Sequence, residues 1–158
     1  MSDSAQQAFA AYEPSIGQTE GTGEWFEITQ EQVDRFADVT LDHQFIHIDP
    51  VKAAATPFGG TIAHGFLTLS MLVHLTKSVP AGDPARYAGI VMGVNYGFDK
   101  VRFLSPVRVG KRVRATVVLA DAQLKGNQIQ TTRTCTVEIE GETKPALVAD
   151  WITRSVYG

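Results

Sequence analysis

Disulfide chemistry is the first thing this sequence does without: Cys135 is the one cysteine in 158 residues. One cysteine closes no internal bridge, which fits a reducing compartment. A dominant charge is missing too. Fourteen basic against 17 acidic residues leave a formal net charge of −3, and the two signs are mixed along the chain. That argues against nucleic acid or an anionic membrane as partner. No long hydrophobic run occurs. The most apolar stretch, Thr61 to Thr76, is interrupted by His64, Thr68, Ser70 and His74, and is too short and too polar to span a bilayer. The opening MSDSAQQAFAAYEPS has neither the basic start nor the apolar block of a signal peptide. These absences predict a soluble cytoplasmic protein. Internal repeats, low-complexity tracts, a domain linker and a Gly-x-Ser-x-Gly nucleophile elbow are also lacking.

What is present fits one globular domain. Apolar content is 44% and charged content 20%, and 158 residues suffice for a real core. Residues 1–20 show no clear period and carry Pro14 and Gly17, so they read as a lead-in or a segment lying across the surface of a domain spanning 21–158. Glu24 to Ile28 is a short strand candidate. Gly21 and Gly23 before it read as a turn, since Phe26 stands where a phosphate-binding loop would need its third glycine. Thr29-x-x-Gln32 is a capping-box pattern, and Val33, Phe36 and Ala37 continue it as a helix ending near Thr40. Asp42 to Asp49 should be irregular or extended, because Pro50 blocks a helix through it, and Val51 to Ala55 has room for one helical turn.

From Ile62 to Leu75 apolar residues point almost all round a helix, the pattern of a buried one. After Pro80 the period changes to two. Ala88–Tyr96 and Lys100–Leu104, split by Gly97, are followed by runs through Val113–Leu119, Ile129–Ile139 and Ala146–Tyr157, with Gly110, Gly126-Asn127 and Gly141 as turn signals. One apolar helix followed by antiparallel strands predicts an α+β domain whose curved sheet curls round that helix.

The chemistry concentrates around that helix. Asp42 and His47 pair a carboxylate with an imidazole, a combination suited to acid/base work near neutral pH. On spacing alone, two exposed loop residues is the stronger reading. Gly65 adds a second signal. At the start of a helix its N–H lacks an intrahelical acceptor, and the absence of a side chain lets a carbonyl oxygen approach. Tight packing alone would also account for it.

Asp42-x-x-x-x-His47-x-Asp49-Pro50 followed by Ile62-Ala63-His64-Gly65 resembles the (R)-specific enoyl-CoA hydratases of the MaoC-like group. The likeness runs from about Trp25 to the C-terminus. It includes Asn95-Tyr96-Gly97 and Lys100-Val101-Arg102-Phe103, which are similar to the NodN-like branch. The resemblance implies a hot-dog fold, a long helix wrapped by a curved antiparallel sheet, and a homodimer. It implies an acyl-CoA thioester substrate and no metal or redox cofactor. Asp42 and His47 would activate one water, the Gly65 N–H would meet the thioester carbonyl, and Ser70 would lie near the acyl pocket. Asn95 is a further candidate for the pocket wall. One departure stands out: Gln44 and Phe45 occupy positions where the common pattern has Asn and Pro. The reaction implied is reversible hydration of trans-2-enoyl-CoA to (R)-3-hydroxyacyl-CoA. A hot-dog thioesterase and a non-catalytic acyl-thioester binding module are the alternatives.

Other signals are weaker. His43-x-x-x-His47 has zinc-protease spacing but Gln44 stands where the Glu belongs. Cys135 falls within a strand alternation and reads as a core thiol. His64 reads as a capping or packing residue, and His74 as helix surface or interface. Arg102, Arg108, Lys111 and Arg112 read as solvated charge, with coenzyme A phosphates as the alternative.

Overall fold

The computed structural model describes residues 3–158. Its frame is an open antiparallel sheet, built on strands whose buried faces follow the period-two pattern. The strands are β1 (Thr19–Thr22), β2 (Phe26–Glu27), β3 (Ile90–Phe103), β4 (Arg112–Lys125), β5 (Gln128–Ile139) and β6 (Leu147–Tyr157). They run in the order β1-β4-β5-β6-β3, with β2 also paired to β4. Val113, Ala115, Val117 and Leu119 of β4 are buried, as are Ile129, Cys135, Val137 and Ile139 of β5. Gly126, at φ +64°, and Asn127 form the two-residue turn between them.

The helices are α1 (Asp3–Tyr12), α2 (Gln30–Thr40), α3 (Phe45–Ile48), α4 (Pro50–Ala54), α5 (Gly65–Ser70) and α6 (Leu72–Leu75). Helix α2 starts as expected: the Thr29 side chain accepts from the Gln32 amide, and Gln32 returns the bond to the Thr29 N–H. Pro50 does end the preceding segment. Asp49 caps α4, its Oδ1 accepting from the Lys52 N–H at 3.0 Å. That bond, reinforced by the Lys52 charge, holds the Asp49 carboxyl below its ordinary range. The segment expected to be irregular contains one helical turn, α3, because a single turn fits before Asp49 breaks it.

Helices α5 and α6 form the central helix, joined through Met71, which keeps right-handed helical angles. Leu67, Leu72 and Leu75 enter the main core with Ile28, Val33 and the inner faces of β4, β5 and β6. Each such leucine contributes about 1.5–3 kcal/mol by burial. The helix is not buried all round, however. Phe66 is 67% and Val73 49% exposed, because the open sheet covers one side only.

Three further expectations change. Residues 3–12 form α1, which buries Ala5, Ala8 and Tyr12 against Leu119, Ala122, Ile129 and Tyr157 in a second core. The small alanine face explains why its period was weak in sequence. Gly21 and Gly23 are not a turn. Gly21 lies in β1, and a Cβ there would meet Pro80 Cδ at 2.7 Å; one on Gly23 would meet the Leu75 carbonyl oxygen at 2.5 Å. Both let the chain pass close to the end of the central helix. Gly97 does not split β3 either: it pairs with Ile152, and register shifts on both sides of it absorb the irregularity.

Between the two cores lies a buried ion triad. Arg86 Nη1 reaches Glu20 Oε1 at 3.0 Å, and Arg133 Nε donates to Glu20 Oε2 at 2.7 Å. Arg86 also donates to the Ala11 carbonyl and lies over the Tyr12 ring. Glu20→Gln leaves two buried guanidiniums without their counter-ion, and we expect a loss of about 3 kcal/mol in urea unfolding. A loss under about 0.5 kcal/mol, the scale of an exposed pair, would contradict this role.

Candidate active site

The site forms where α2, α3 and the start of α5 meet the segment leading from β3 to β4. Leu41 ends α2 in the left-handed region, at φ 62°, although it has a side chain. This conformation costs a non-glycine residue on the order of 1 kcal/mol. It reverses the chain immediately before Asp42. Residues 61–63 are then laid along residues 107–109 by Ala63 N–H to Val107 O at 2.8 Å and Val109 N–H to Thr61 O at 2.9 Å.

His47 is fixed from three directions. Its Nδ1 donates to the Ile62 carbonyl at 2.7 Å. A carbonyl only accepts, so Nδ1 carries the proton and Nε2 keeps its lone pair. The His47 carbonyl accepts from Gln30 Nε2 at 2.7 Å, and Gln30 Oε1 accepts from Thr61 Oγ1. Ile62 N–H closes the frame on the Ile46 carbonyl.

His64 completes the cluster. Its ring stacks on that of His47, centroids 3.8 Å apart and planes inclined by 25°, with Phe36 against it at 4.9 Å. Its Nε2 donates to the Asp42 carbonyl at 3.0 Å. Nδ1 is buried and has no hydrogen-bond partner among the described residues, a situation that costs ~1–3 kcal/mol. Although His64 precedes α5 in the capping position, its side chain makes no capping bond. The capping reading therefore fails.

Asp42, His47 and His64 offer ligand atoms within 4.8 Å of one another. Stacking opposes a metal there. A nitrogen lone pair lies in its ring plane, and two stacked planes tilted this little do not meet within the ~2 Å of a metal–nitrogen bond. His43 turns away and pairs with Asp38 at 2.9 Å on the surface.

His47 and Gly65 line one cavity of about 300 Å³ with Phe58, Ile62, Phe103 and Leu147. Its walls are mostly apolar. Gly65 is the first residue of α5, where an N–H has no intrahelical acceptor. A Cβ on it would lie 3.0 Å from Phe103 Cδ1, so any side chain there would press on the Phe103 ring. Gln44 is exposed and outside the cavity lining, its N–H 3.4 Å from Asp42 Oδ1. Ser70 and Asn95 lie elsewhere: they share a second cleft with Leu69, Phe98 and Trp151, and the Ser70 hydroxyl donates to the Phe66 carbonyl. Among the basic residues, Arg112 pairs with Glu140, Arg108 donates to the Gly59 carbonyl, and Arg102 to the Val101 carbonyl. Burial pushes the Cys135 thiol up to about 12, the chemistry of a core residue. Gln30 and the Ile62 carbonyl had no signal in sequence, since a backbone acceptor and an exposed-pattern glutamine have none.

His47 and the first residue of α5 thus face an apolar cavity, with the exposed Asp42 carboxylate beside His47 and outside the cavity lining. Residues 11–141 match the family described as "MaoC like domain", and the chain belongs to that family. It is 53% identical over 144 residues to nodulation protein N of Rhizobium meliloti, covering 90% of this chain and 87% of that protein. It is 49% identical over 143 residues to 3-hydroxyacyl-thioester dehydratase Z of Mycobacterium tuberculosis, covering 90% and 91%. The solved (R)-hydratase from A. caviae shares the fold, with a TM-score of 0.68 at 24% identity, covering 87% of this chain and 94% of that one. The open antiparallel sheet and central helix are thus the hot-dog fold.

Burial, and to a lesser degree His64, lower the His47 pKa from its usual 6.5; the Ile62 bond and Asp42 only partly oppose this. The unfolded chain therefore takes up the proton first as pH falls below that value, and the folded state loses stability on that side. A ¹H NMR titration of the His47 ring should give a midpoint below ~6.5. A midpoint at or above that value would contradict the burial argument.

Proposed function

We propose that this protein hydrates trans-2-enoyl-CoA reversibly to (R)-3-hydroxyacyl-CoA. The observation that carries the reading is the tautomer of His47. With Nδ1 committed to the Ile62 carbonyl, Nε2 is available as a base next to the Asp42 carboxylate. Water attacks C3 and gives a proton to the Asp42/His47 pair. The double-bond electrons move onto the thioester oxygen, where the Gly65 N–H stabilises the enolate. The enolate collapses as the same pair returns a proton to C2. Both transfers come from one side of the substrate, so addition is syn. The apolar cavity takes the acyl chain. In the same reading the separate cleft with Ser70 and Asn95 binds a further part of the substrate, and Gln44, whose N–H meets Asp42, adjusts the water beside it.

The reading includes a homodimer. Strand β3 is the edge of the sheet, and Val91, Met92, Val94, Tyr96 and Phe98 on it are exposed. A long apolar edge of this kind invites pairing, and a second copy is the occupant we propose. No helix among the described residues is long and apolar enough to cross a membrane. Together with the single cysteine, this supports the cytoplasm as its place.

Asp42→Asn and His47→Gln should each lower kcat on crotonyl-CoA by at least ~10²-fold with the fold intact. Loss of enoyl absorbance without release of dye-reactive thiol separates hydration from thioester hydrolysis. Near-normal turnover in either variant removes the pair from the reaction, and thiol release would make the protein a thioesterase. Sedimentation equilibrium at micromolar protein should give at least a dimer mass; a clean monomer would contradict the pairing of β3.

A further inference from the structure

We infer that His64 is a positioning residue that holds the Asp42 main chain and the His47 ring in register with Gly65. The inference rests on the hydratase reading for its kinetic consequence, though not for its geometry. His64 is 2% exposed. It precedes Gly65 in the chain, donates from Nε2 to the Asp42 carbonyl across 22 residues, and stacks on His47. The Asp42 main chain, the His47 ring and the start of α5 are thus joined through one residue.

Packing alone does not call for an imidazole here. A phenyl ring would fill the same space between Phe36 and His47 without burying an unpaired Nδ1. Helix capping does not call for it either, since the side chain makes no capping bond. What the imidazole adds is the Nε2–H donor. Leu41 turns the chain just before Asp42 in a strained conformation, and 80% of its surface is exposed, so packing there restrains Asp42 little. The His64 bond supplies the restraint. A misplacement of ~1 Å in such a pair costs ~10²-fold in rate.

Two variants separate the donor from the ring. His64→Phe keeps the ring and loses the donor. His64→Gln keeps an amide N–H that can reach the same carbonyl and loses the stack. We expect His64→Phe to lower kcat on crotonyl-CoA by ~10- to 100-fold, with KM within about threefold and Tm unchanged or higher. His64→Gln should stay within about tenfold of wild type. Amide exchange at His47 and Asp49, whose N–H groups donate to the Gln44 and Phe45 carbonyls, should accelerate in His64→Phe and less in His64→Gln. Full kcat in His64→Phe, or equal losses in both variants, would overturn the donor's role. If wild type does not hydrate crotonyl-CoA, the hydratase reading falls and the exchange data decide: unchanged protection in His64→Phe then overturns the positioning as well.

Discussion

The hydrogen bond from His47 Nδ1 to the Ile62 carbonyl, 2.7 Å long, ties the segment after α2 to the segment before the central helix. Most of the site follows from where that carbonyl is held. Ile62 is bridged to Arg108, and its neighbours Thr61 and Ala63 bond to residues 109 and 107, so the carbonyl is part of an extended pair and not of a free loop. Because the acceptor is fixed, the tautomer of His47 is fixed. Because the tautomer is fixed, the open nitrogen is the one left for chemistry. Gln30 extends the constraint back to the first turn of α2, where the capping box anchors the helix.

The same site carries local costs that the rest of the fold sustains. Leu41 sits at positive φ, and His64 buries an unpaired nitrogen. Both lie within the Asp42–His47–His64 neighbourhood, at the margin of the main core, where Phe36 packs against His64. Such costs persist only where the surrounding structure holds them, and the sheet carries two of its own, Lys100 at φ 52° and the buried, unpaired Trp151 Nε1. Between the cores, the Arg86–Glu20–Arg133 triad places charge where apolar packing would suffice. Its partners come from β1, β5 and the turn after the central helix, so it fixes how those elements meet.

Periodic elements were the most legible part of the chain. The strands β4, β5 and β6 and the start of α2 follow from alternation and from Thr29 and Gln32, whose signals are local. Helix α1 escaped because alanines make its buried face, and alanine marks no period. Strand β1 escaped because Gly21 within it and Gly23 just after it serve close approach to Pro80 and Leu75, contacts more than 50 residues away in sequence. Gly97 was misread as a break because a bulge and a turn ask for the same residue.

In the site, residue types were legible and their partnerships were not. Asp42, His47 and Gly65 stood out by chemistry and by the family resemblance of the joined motif; the spacing of Asp42 and His47 alone favoured two exposed loop residues. The sequence by itself determined the strand periods, the capped helix and the supply of a carboxylate, an imidazole and a glycine near one helix start. Only the tertiary structure decided that His47 carries its proton on Nδ1, that His64 stacks on it while gripping Asp42, and that Ser70 and Asn95 fall in a separate cleft. The physical reason is that local propensities depend on neighbours along the chain. A tautomer or a ring stack depends on a backbone carbonyl or a side chain brought close from 15 to 22 residues away.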